Sequence, residues 1–265
     1  DVYKRQVQAE NLNDPPPFAG DPSPMSETTP QTLDAATKDT LSKVTTATLT
    51  TILLKKGLRN VWMRGAMPLR ADQDRVVGQA FTLRFVPARE DLATPASWAS
   101  PISTRAAIEA MPEGAFAVID AMGVNDAGVF GDILCARMVK RKAAGLVTDG
   151  VIRDLDGVLG TGLPVWCRGA AAPPSVAGLT FVGWEETVGC GGVCVIPGDT
   201  IVADRDGAVV IPAALLGEVV SEAVEQERME GWIVSEVERG EPLPGLYPMN
   251  DATRARYAAW KAGQS

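Results

Sequence analysis

The stretch from Gly131 to Gly160 constrains the fold of this chain more than any other part of the sequence. Apolar residues recur at helical spacing behind Asp132, which can serve as an N-cap, and the predicted helix ends at Gly145. The next residues, 146–148, form a short apolar run that predicts a buried strand. A helix that leads directly into a buried strand is typical of an α/β fold.

The predicted strand is followed by a turn with charged side chains. Asp149 and Gly150 form the turn, and Arg153 and Asp154 come soon after it. In α/β proteins the ends of strands carry sites, and the unpaired N–H groups at the start of a helix attract anions. An arginine, carboxylates and a helix start close together in sequence suit a small keto acid held beside a divalent metal.

The chain has 265 residues and no histidine, which restricts its chemistry. The absence excludes histidine-based catalytic triads, HExxH zinc sites and imidazole acid–base relays. Of the four cysteines only Cys190 and Cys194 lie close together, so reduced thiols are favoured over a zinc site. Any catalysis is therefore expected to use carboxylates, arginine, lysine, cysteine, hydroxyl groups or bound water.

Composition and charge exclude several classes of partner. Hydrophobic residues make up 46% of the chain and charged residues 22%, as in an ordinary globular protein. The net charge of −8 argues against a nucleic-acid surface, which normally needs a basic patch. No apolar run reaches the ~18 residues of a transmembrane helix. We therefore expect no nucleic-acid partner, no membrane partner and a cytoplasmic location.

The chain divides into three parts. Residues 1–29 are rich in proline and polar residues and are predicted to be disordered. Residues 30–248 are predicted to form one domain, and residues 249–265 a tail with a short helix. Within the domain, many short strands with a few flanking helices predict a mixed α/β/β sandwich.

Two long helical segments are expected, one over residues 33–58 and one over residues 213–239 after Pro212. In the second helix, Glu227 and Glu230 interrupt an otherwise apolar stripe. Two interpretations are open. Either the helix leaves the core there and the acids are solvated, or this face meets a functional site or a second subunit.

Three ordered motifs carry a resemblance to a known family. They are GDIL from Gly131, AGLVTDGVIRD from Ala144, and CGGVCVIPGD from Cys190 followed by ADRDGAVVIP from Ala203. Over roughly residues 41–247 the chain resembles the RraA-like family (regulator of ribonuclease activity A), which includes the 4-hydroxy-4-methyl-2-oxoglutarate aldolases. The resemblance implies a compact α/β/β sandwich of the swivelling β/β/α type, with flanking helices and a long C-terminal helix, that assembles as a homotrimer or hexamer.

The resemblance also implies a metal site. Asp154 would bind a divalent cation, Mg²⁺ or Mn²⁺, and Arg153 would bind the oxygens of a small 2-oxo acid substrate. The helix that follows Gly131 would hold the substrate carboxylate through the amides of Ile133 and Leu134.

Acidic residues would complete this implied site. Asp132 would orient a metal-bound water, and an acid from the C-terminal helix of a neighbouring subunit would contribute, with Glu230 the first candidate and Glu227 the second. Cleaving the C–C bond of a 4-hydroxy-2-oxo acid yields the enolate of pyruvate, so the site must stabilise negative charge on the keto oxygen. A metal does so as a Lewis acid, and Arg153 adds a fixed positive charge. Oxaloacetate decarboxylation passes through the same enolate.

Simpler structural roles are available for the same residues. Asp132 could act only as a helix cap, worth about 1 kcal/mol. Arg153 and Asp154 could form a surface ion pair, worth ~0–1 kcal/mol, and Asp149 could serve only to form the turn before its glycine.

Three functions therefore stay open at this point. The first is a metal-dependent lyase, a class II pyruvate aldolase that also decarboxylates oxaloacetate. The second is a non-catalytic protein regulator of a ribonuclease, as the family name implies. The third is a metabolite sensor or an enzyme acting on sugar acids.

Overall fold

The computed structural model describes residues 33–264. The segment predicted to be disordered, residues 1–29, lies outside the described residues. The helices are α1 (Ala35–Ser42), α2 (Thr46–Lys55), α3 (Thr104–Ala110), α4 (Asp132–Lys140), α5 (Leu155–Thr161), α6 (Leu216–Glu238) and α7 (Asp251–Ala262). The strands are β1 (Met67–Pro68), β2 (Val76–Pro87), β3 (Ala115–Asp120), β4 (Gly145–Thr148), β5 (Val165–Cys167), β6 (Leu179–Trp184), β7 (Thr200–Asp204) and β8 (Gly207–Ile211).

These strands form one sheet in the order β1-β5-β4-β3-β2-β7-β8, with β6 also paired to β2. Strands β2, β3, β4 and β5 run parallel, and the remaining pairs are antiparallel. The long strand β2 pairs with β7 through its first half and with β6 through its second half. Because parallel strands end at the same edge of a sheet, the segments that follow β3, β4 and β5 emerge together.

The sheet is nearly closed into a barrel, because the segment before β1 returns to β8. The Met63 amide donates to the Ala208 carbonyl at 2.9 Å, and the Val210 amide donates to the Val61 carbonyl at 2.8 Å. The predicted fold class, a mixed α/β fold with flanking helices and a long C-terminal helix, is confirmed. The barrel-like closure is the feature that the sequence did not reveal.

Strand β3 shows how the core is divided between the two faces of the sheet. Phe116 and Val118 point into the barrel, where they pack with residues of β7 and β8. Ala115, Ala117 and Ile119 point outward, into a second core formed with α3, α4 and α5. Side chains alternate along a strand, so a strand covered on both faces needs a continuous apolar run. A third core lies between the sheet and α1, α2 and α6.

The single helix predicted over residues 33–58 was wrong, because the segment contains two helices, α1 and α2. Helix α2 begins after Thr45, whose hydroxyl accepts a hydrogen bond from the Thr48 amide at 3.1 Å. The carboxylate of Glu227 also accepts a hydrogen bond from the Thr45 amide at 2.7 Å. A threonine cap and an acid from a distant helix thus stabilise a second helix start within the threonine-rich stretch.

The C-terminal part follows the prediction closely. A 3₁₀ turn at Ala213–Leu215 leads into α6, and α7 lies within the predicted tail. The second half of α6 packs on α7 through a separate apolar cluster of Trp232, Ile233, Leu246 and Tyr257. Within residues 33–264, none of the helices combines the length and the apolar character needed to cross a membrane.

Candidate active site

A cleft of about 510 Å³ lies where α3, α4 and the start of α5 meet. It brings together six of the residues predicted for the site, although they come from two separate stretches of the chain. These residues are Gly131, Asp132, Ile133, Leu134, Arg153 and Asp154. The two other predicted residues, Glu227 and Glu230, lie on α6 and do not line this cleft of the described chain.

The start of α4 forms one wall of the cleft. Gly131, in an extended conformation, occupies the cap position, and Asp132 is the first helical residue rather than the predicted N-cap. The Asp132 carboxylate accepts a hydrogen bond from the Ile133 amide at 2.7 Å. The first amide to bond back into the helix is that of Cys135, to the Gly131 carbonyl at 3.1 Å. The amides before it are the anion-attracting groups of a helix start, and that of Ile133 is directed to Asp132.

The Arg153–Asp154 doublet forms the facing wall. The Arg153 amide donates to the Phe130 carbonyl at 2.9 Å, which fixes the doublet against the segment that leads into α4. Asp154 has φ 53° and ψ 51°, a left-handed conformation that aspartate tolerates better than most residues. Its carboxylate accepts a hydrogen bond from Arg153 Nε at 3.0 Å, and both side chains are partly exposed to the cleft.

Glycines allow the two walls to approach closely. A Cβ atom at Gly131 would lie 2.7 Å from Asp154 Oδ2, and one at Gly157 would lie 2.7 Å from the Cβ of Asp132. Any larger residue at either position would displace a predicted site residue. At Gly157 the conflict is with the Cβ of Asp132, whereas at Gly131 it is with the terminal oxygen of Asp154, which a larger residue would push away from its present position.

Two features of the cleft were missed by sequence reasoning. Helix α3 contributes Arg105, whose guanidinium carbon lies 4.8 Å from the centre of the Trp98 ring. It also contributes Glu109, which forms two hydrogen bonds of 2.7 Å with Arg137 of α4. No sequence motif marks these residues. Strand β3 separates α3 from α4 in the sequence, so the two helices come into contact only in the folded chain.

The carboxylates in the cleft suit a metal cation that prefers oxygen ligands. Within residues 33–264 there is no group of three or more histidine, cysteine, aspartate or glutamate side chains placed to bind a metal. Mg²⁺ commonly uses one or two carboxylates and completes its shell with water and substrate oxygens. The partly exposed carboxylate of Asp154, with Asp132 on the facing wall, matches that requirement. A site built from soft sulfur ligands does not match, because Cys135 is buried in the core and burial raises its thiol pKa to about 12.

The two acids of α6 bind the start of α2 in the same chain. Besides the bond from Thr45 to Glu227, the Thr48 hydroxyl donates to Glu230 at 3.0 Å. Gln226 also donates to Glu230 at 2.6 Å. Both acids are half-buried, so the interpretation that they are fully solvated was wrong. Whether they also serve a neighbouring subunit stays a prediction.

Other carboxylates near the strand ends accept hydrogen bonds from backbone amides. Asp149, which follows β4, is buried and accepts a hydrogen bond from the Ala121 amide at 2.8 Å. Its burial raises its pKa, an effect that backbone hydrogen bonds from residues such as Ala121 and Gly191 partly offset. Asp120, at the end of β3, accepts hydrogen bonds from the amides of Met122 and Gly189 at 3.0 and 3.1 Å. These acids hold loops in place.

Comparison with known families gives one match over most of the chain. A family model described as RraA-like, Aldolase/RraA, matches residues 30–210. A protein of Halalkalibacterium halodurans named "Putative 4-hydroxy-4-methyl-2-oxoglutarate aldolase" is 33% identical over 157 residues, which cover 59% of this chain and 69% of that protein. Protein DlpA of Legionella pneumophila is 29% identical over 169 residues, which cover 64% of this chain but only 26% of DlpA.

Solved structures agree with this match. The Streptomyces coelicolor protein RraAS2, described as an unusual member of the RNase ES inhibitor RraA protein family, superposes with a TM-score of 0.68 at 34% identity. The match covers 76% of this chain and 97% of RraAS2. An uncharacterized protein from Pseudomonas syringae pv. tomato superposes with a TM-score of 0.69 at 26% identity, covering 82% of this chain and 98% of that one.

Proposed function

This chain belongs to the RraA-like family, and from its cleft we propose that it is a divalent-metal-dependent lyase. Its substrates would be 4-hydroxy-2-oxo acids of the 4-hydroxy-4-methyl-2-oxoglutarate type, cleaved to pyruvate, with oxaloacetate decarboxylation as a second activity. The observation that carries the proposal is the placing of the Arg153–Asp154 doublet against the start of α4 in one cleft. The relative in Halalkalibacterium halodurans, whose printed name is that of such an aldolase, supports it.

The residues of the cleft match the charge changes of the reaction. Breaking the bond between C3 and C4 leaves an electron pair that becomes the enolate of pyruvate, with its negative charge on the former keto oxygen. The Arg153 guanidinium would stabilise that oxygen through its positive charge and orient the 2-oxo acid through its N–H groups. The amides at the start of α4, above all that of Leu134, would bind the carboxylate of the substrate.

The metal would be Mg²⁺ or Mn²⁺, held by the carboxylate of Asp154. When bound, such a cation supplies Lewis-acid polarisation of the keto oxygen and lowers the pKa of bound water. Asp132 would orient the water that removes the proton of the 4-hydroxyl group, because its carboxylate lies on the facing wall of the same cleft. With no histidine in the chain, carboxylates and water are the available acid–base groups.

The proposed site includes a neighbouring subunit. A homotrimer or hexamer would bring an acid from α6 of one subunit to the cleft of the next, with Glu230 or Glu227 as the contributing residue. Both side chains accept hydrogen bonds from neutral donors of α2, and within residues 33–264 neither forms an ion pair with a basic side chain. Each would therefore bring an uncompensated negative charge to such a contact.

A coupled assay of pyruvate release tests the proposal. A panel of 2-oxo acids, including 4-hydroxy-4-methyl-2-oxoglutarate and oxaloacetate, is incubated with the protein and Mg²⁺ or Mn²⁺. We expect pyruvate from at least one of these acids, loss of the activity in EDTA and recovery when metal is added back. Turnover that persists in EDTA, or no turnover of any acid in the panel, would refute the proposal.

A second function is favoured by one comparison. RraAS2, which is described as a member of an RNase ES inhibitor family, matches over almost its whole length. This chain could therefore bind and inhibit a ribonuclease without catalysis of its own. A pull-down with ribonuclease E, together with an RNA-cleavage assay, separates the two functions: inhibition by a protein that releases no pyruvate would favour the regulator.

A further inference from the structure

The cleft contains one arginine that the proposed chemistry at Arg153 and Asp154 does not use. Of the residues that the structure describes, three arginines line the cleft. Arg137 is neutralised by Glu109 through two hydrogen bonds of 2.7 Å, and Arg153 donates to Asp154 at 3.0 Å. Within residues 33–264 the third, Arg105, forms no ion pair with a carboxylate. It is therefore the cation of this cleft that is left for an anionic ligand.

The neighbouring acid on the same helix confirms that Arg105 is uncompensated. Glu109 lies one helical turn after Arg105, a spacing at which ion pairs commonly form. Its carboxylate is instead bound to Arg137, and the charges that lower its pKa come from Arg137 and Arg141. The negative charge that could have neutralised Arg105 is thus committed to α4.

The guanidinium of Arg105 is also held in position. It lies over the ring of Trp98, with its central carbon 4.8 Å from the ring centre, in a cation–π contact. Trp98 is half-buried within the 3₁₀ helix Pro95–Ala99. Partial removal from water lowers the pKa of Arg105, but an arginine remains charged under such a shift. The N–H groups of the guanidinium are the donors that a carboxylate would bind.

We infer that Arg105 binds the second carboxylate of a dicarboxylic 2-oxo acid whose keto end lies at Arg153 and the start of α4. This inference rests on the proposed function and specifies its substrate class. Arg105 and Arg153 line the same cleft, together with Thr104 and Ser175. A monocarboxylic acid would occupy the keto end and leave Arg105 without an anion, so the cleft would discriminate between the two classes at this residue.

Binding of two matched ligands tests the inference without any turnover. Isothermal titration calorimetry in the presence of Mg²⁺ would compare 2-oxoglutarate with 2-oxopentanoate, which has the same carbon chain but no second carboxylate. We expect Arg105→Gln to weaken 2-oxoglutarate binding about tenfold or more, the usual effect of losing a charged hydrogen bond. Binding of 2-oxopentanoate should change less than about twofold, and Arg105→Lys should retain part of the preference for 2-oxoglutarate.

The control is Arg70→Gln, which removes an exposed arginine paired with Asp72 outside the cleft and should bind both ligands as the wild type does. Equal weakening of the two ligands in Arg105→Gln, or no change in either, would overturn the inference and leave Arg105 as a support for Trp98. Wild-type protein that binds neither ligand would overturn it as well. If the Arg105-dependent preference is found but no 4-hydroxy-2-oxo acid is cleaved, the lyase proposal fails and the carboxylate site stands.

Discussion

Two buried aspartates of this molecule, Asp149 and Asp199, differ from Asp154 in what their oxygens contact. Asp149 and Asp199 are buried, and each accepts hydrogen bonds from backbone amides. Asp154 is partly exposed, faces the cleft, and receives a side-chain hydrogen bond from Arg153. The two buried aspartates use their acceptor capacity to hold loops, whereas Asp154 keeps lone pairs available for a ligand.

The comparison teaches that a carboxylate in a motif is not by itself a site. Asp149 and Asp154 both belong to the AGLVTDGVIRD motif, five positions apart. Burial raises the pKa of Asp149, so a charge there costs stability, while the left-handed backbone of Asp154 directs its carboxylate toward Gly131. The same short motif thus contains one residue that positions the loop and one that we propose as the metal ligand.

The largest effect is expected from Asp154→Asn. Asparagine also tolerates the left-handed backbone conformation, so the fold should be preserved while the anionic ligand is lost. We expect pyruvate release to fall by about 1000-fold or more, with an unchanged melting temperature. The matched control is Asp156→Asn, which alters an exposed acid two positions away that does not line the cleft. If the Asp154→Asn variant still released pyruvate, Asp154 would no longer differ in function from Asp149 and Asp199.

A stability effect is expected from Asp149→Asn. The amide group would place a donor against backbone N–H groups that now face the carboxyl group, costing about 1–3 kcal/mol at low pH. The cost should be smaller at neutral pH, where the wild type carries the penalty of a buried charge. Urea unfolding followed by circular dichroism would measure this, and pyruvate release by the folded variant should stay within a few-fold of the wild type. A variant that keeps full stability but loses pyruvate release would show that Asp149, like Asp154, acts in the reaction.

The pH dependence of the free energy of unfolding gives a second test of Asp149→Asn. Because burial raises the pKa of Asp149 in the folded state, the folded protein holds its proton to higher pH than the unfolded chain does. Its contribution to the free energy of unfolding is therefore present at low pH and is lost as pH rises from the ordinary value of 3.8 through the raised pKa. Asp149→Asn should remove this decline, which urea titrations at several pH values would show.

The smallest effect is expected from Glu227→Gln. The glutamine oxygen can still accept the hydrogen bond from Thr45, but the negative charge at the start of α2 is lost, which costs about 0.3–1 kcal/mol. Thermal unfolding at low salt would detect the loss, and high salt should reduce it. A variant of unchanged stability would show that the contact with α2 contributes nothing. A tenfold loss of pyruvate release would add Glu227 to the proposed neighbouring site.

Much of the fold follows from local sequence pattern. Helix α4 begins at Asp132, as its apolar spacing predicts, but it ends at Lys140 rather than at Gly145, which is instead the first residue of β4. The long helix α6 begins shortly after Pro212, as predicted. The break between α1 and α2 was not found this way, because its threonine cap lies within a threonine-rich run and its second contact comes from Glu227, which is remote in sequence. Closure of the sheet likewise depends on contacts between the segment before β1 and β8.

The candidate site was predictable only where sequence motifs carried it. Residues 131–134 and the Arg153–Asp154 doublet lie in motifs, and the structure places them in one cleft. Arg105 and Trp98 lie in a region with no motif, and their importance comes from which charges are already paired in three dimensions. A sequence pattern shows that an arginine is present, but the structure is needed to show that its neighbouring acid binds elsewhere.

Binding of Mn²⁺ to wild type and Asp154→Asn tests the account most directly. Electron paramagnetic resonance distinguishes free Mn²⁺ from the bound ion, and the titration would be run with and without pyruvate. We expect wild type and Asp156→Asn to bind Mn²⁺, more tightly with pyruvate present, while Asp154→Asn leaves the free-ion signal unchanged. Equal binding by wild type and Asp154→Asn would contradict the account, because the cation would then be held by other residues.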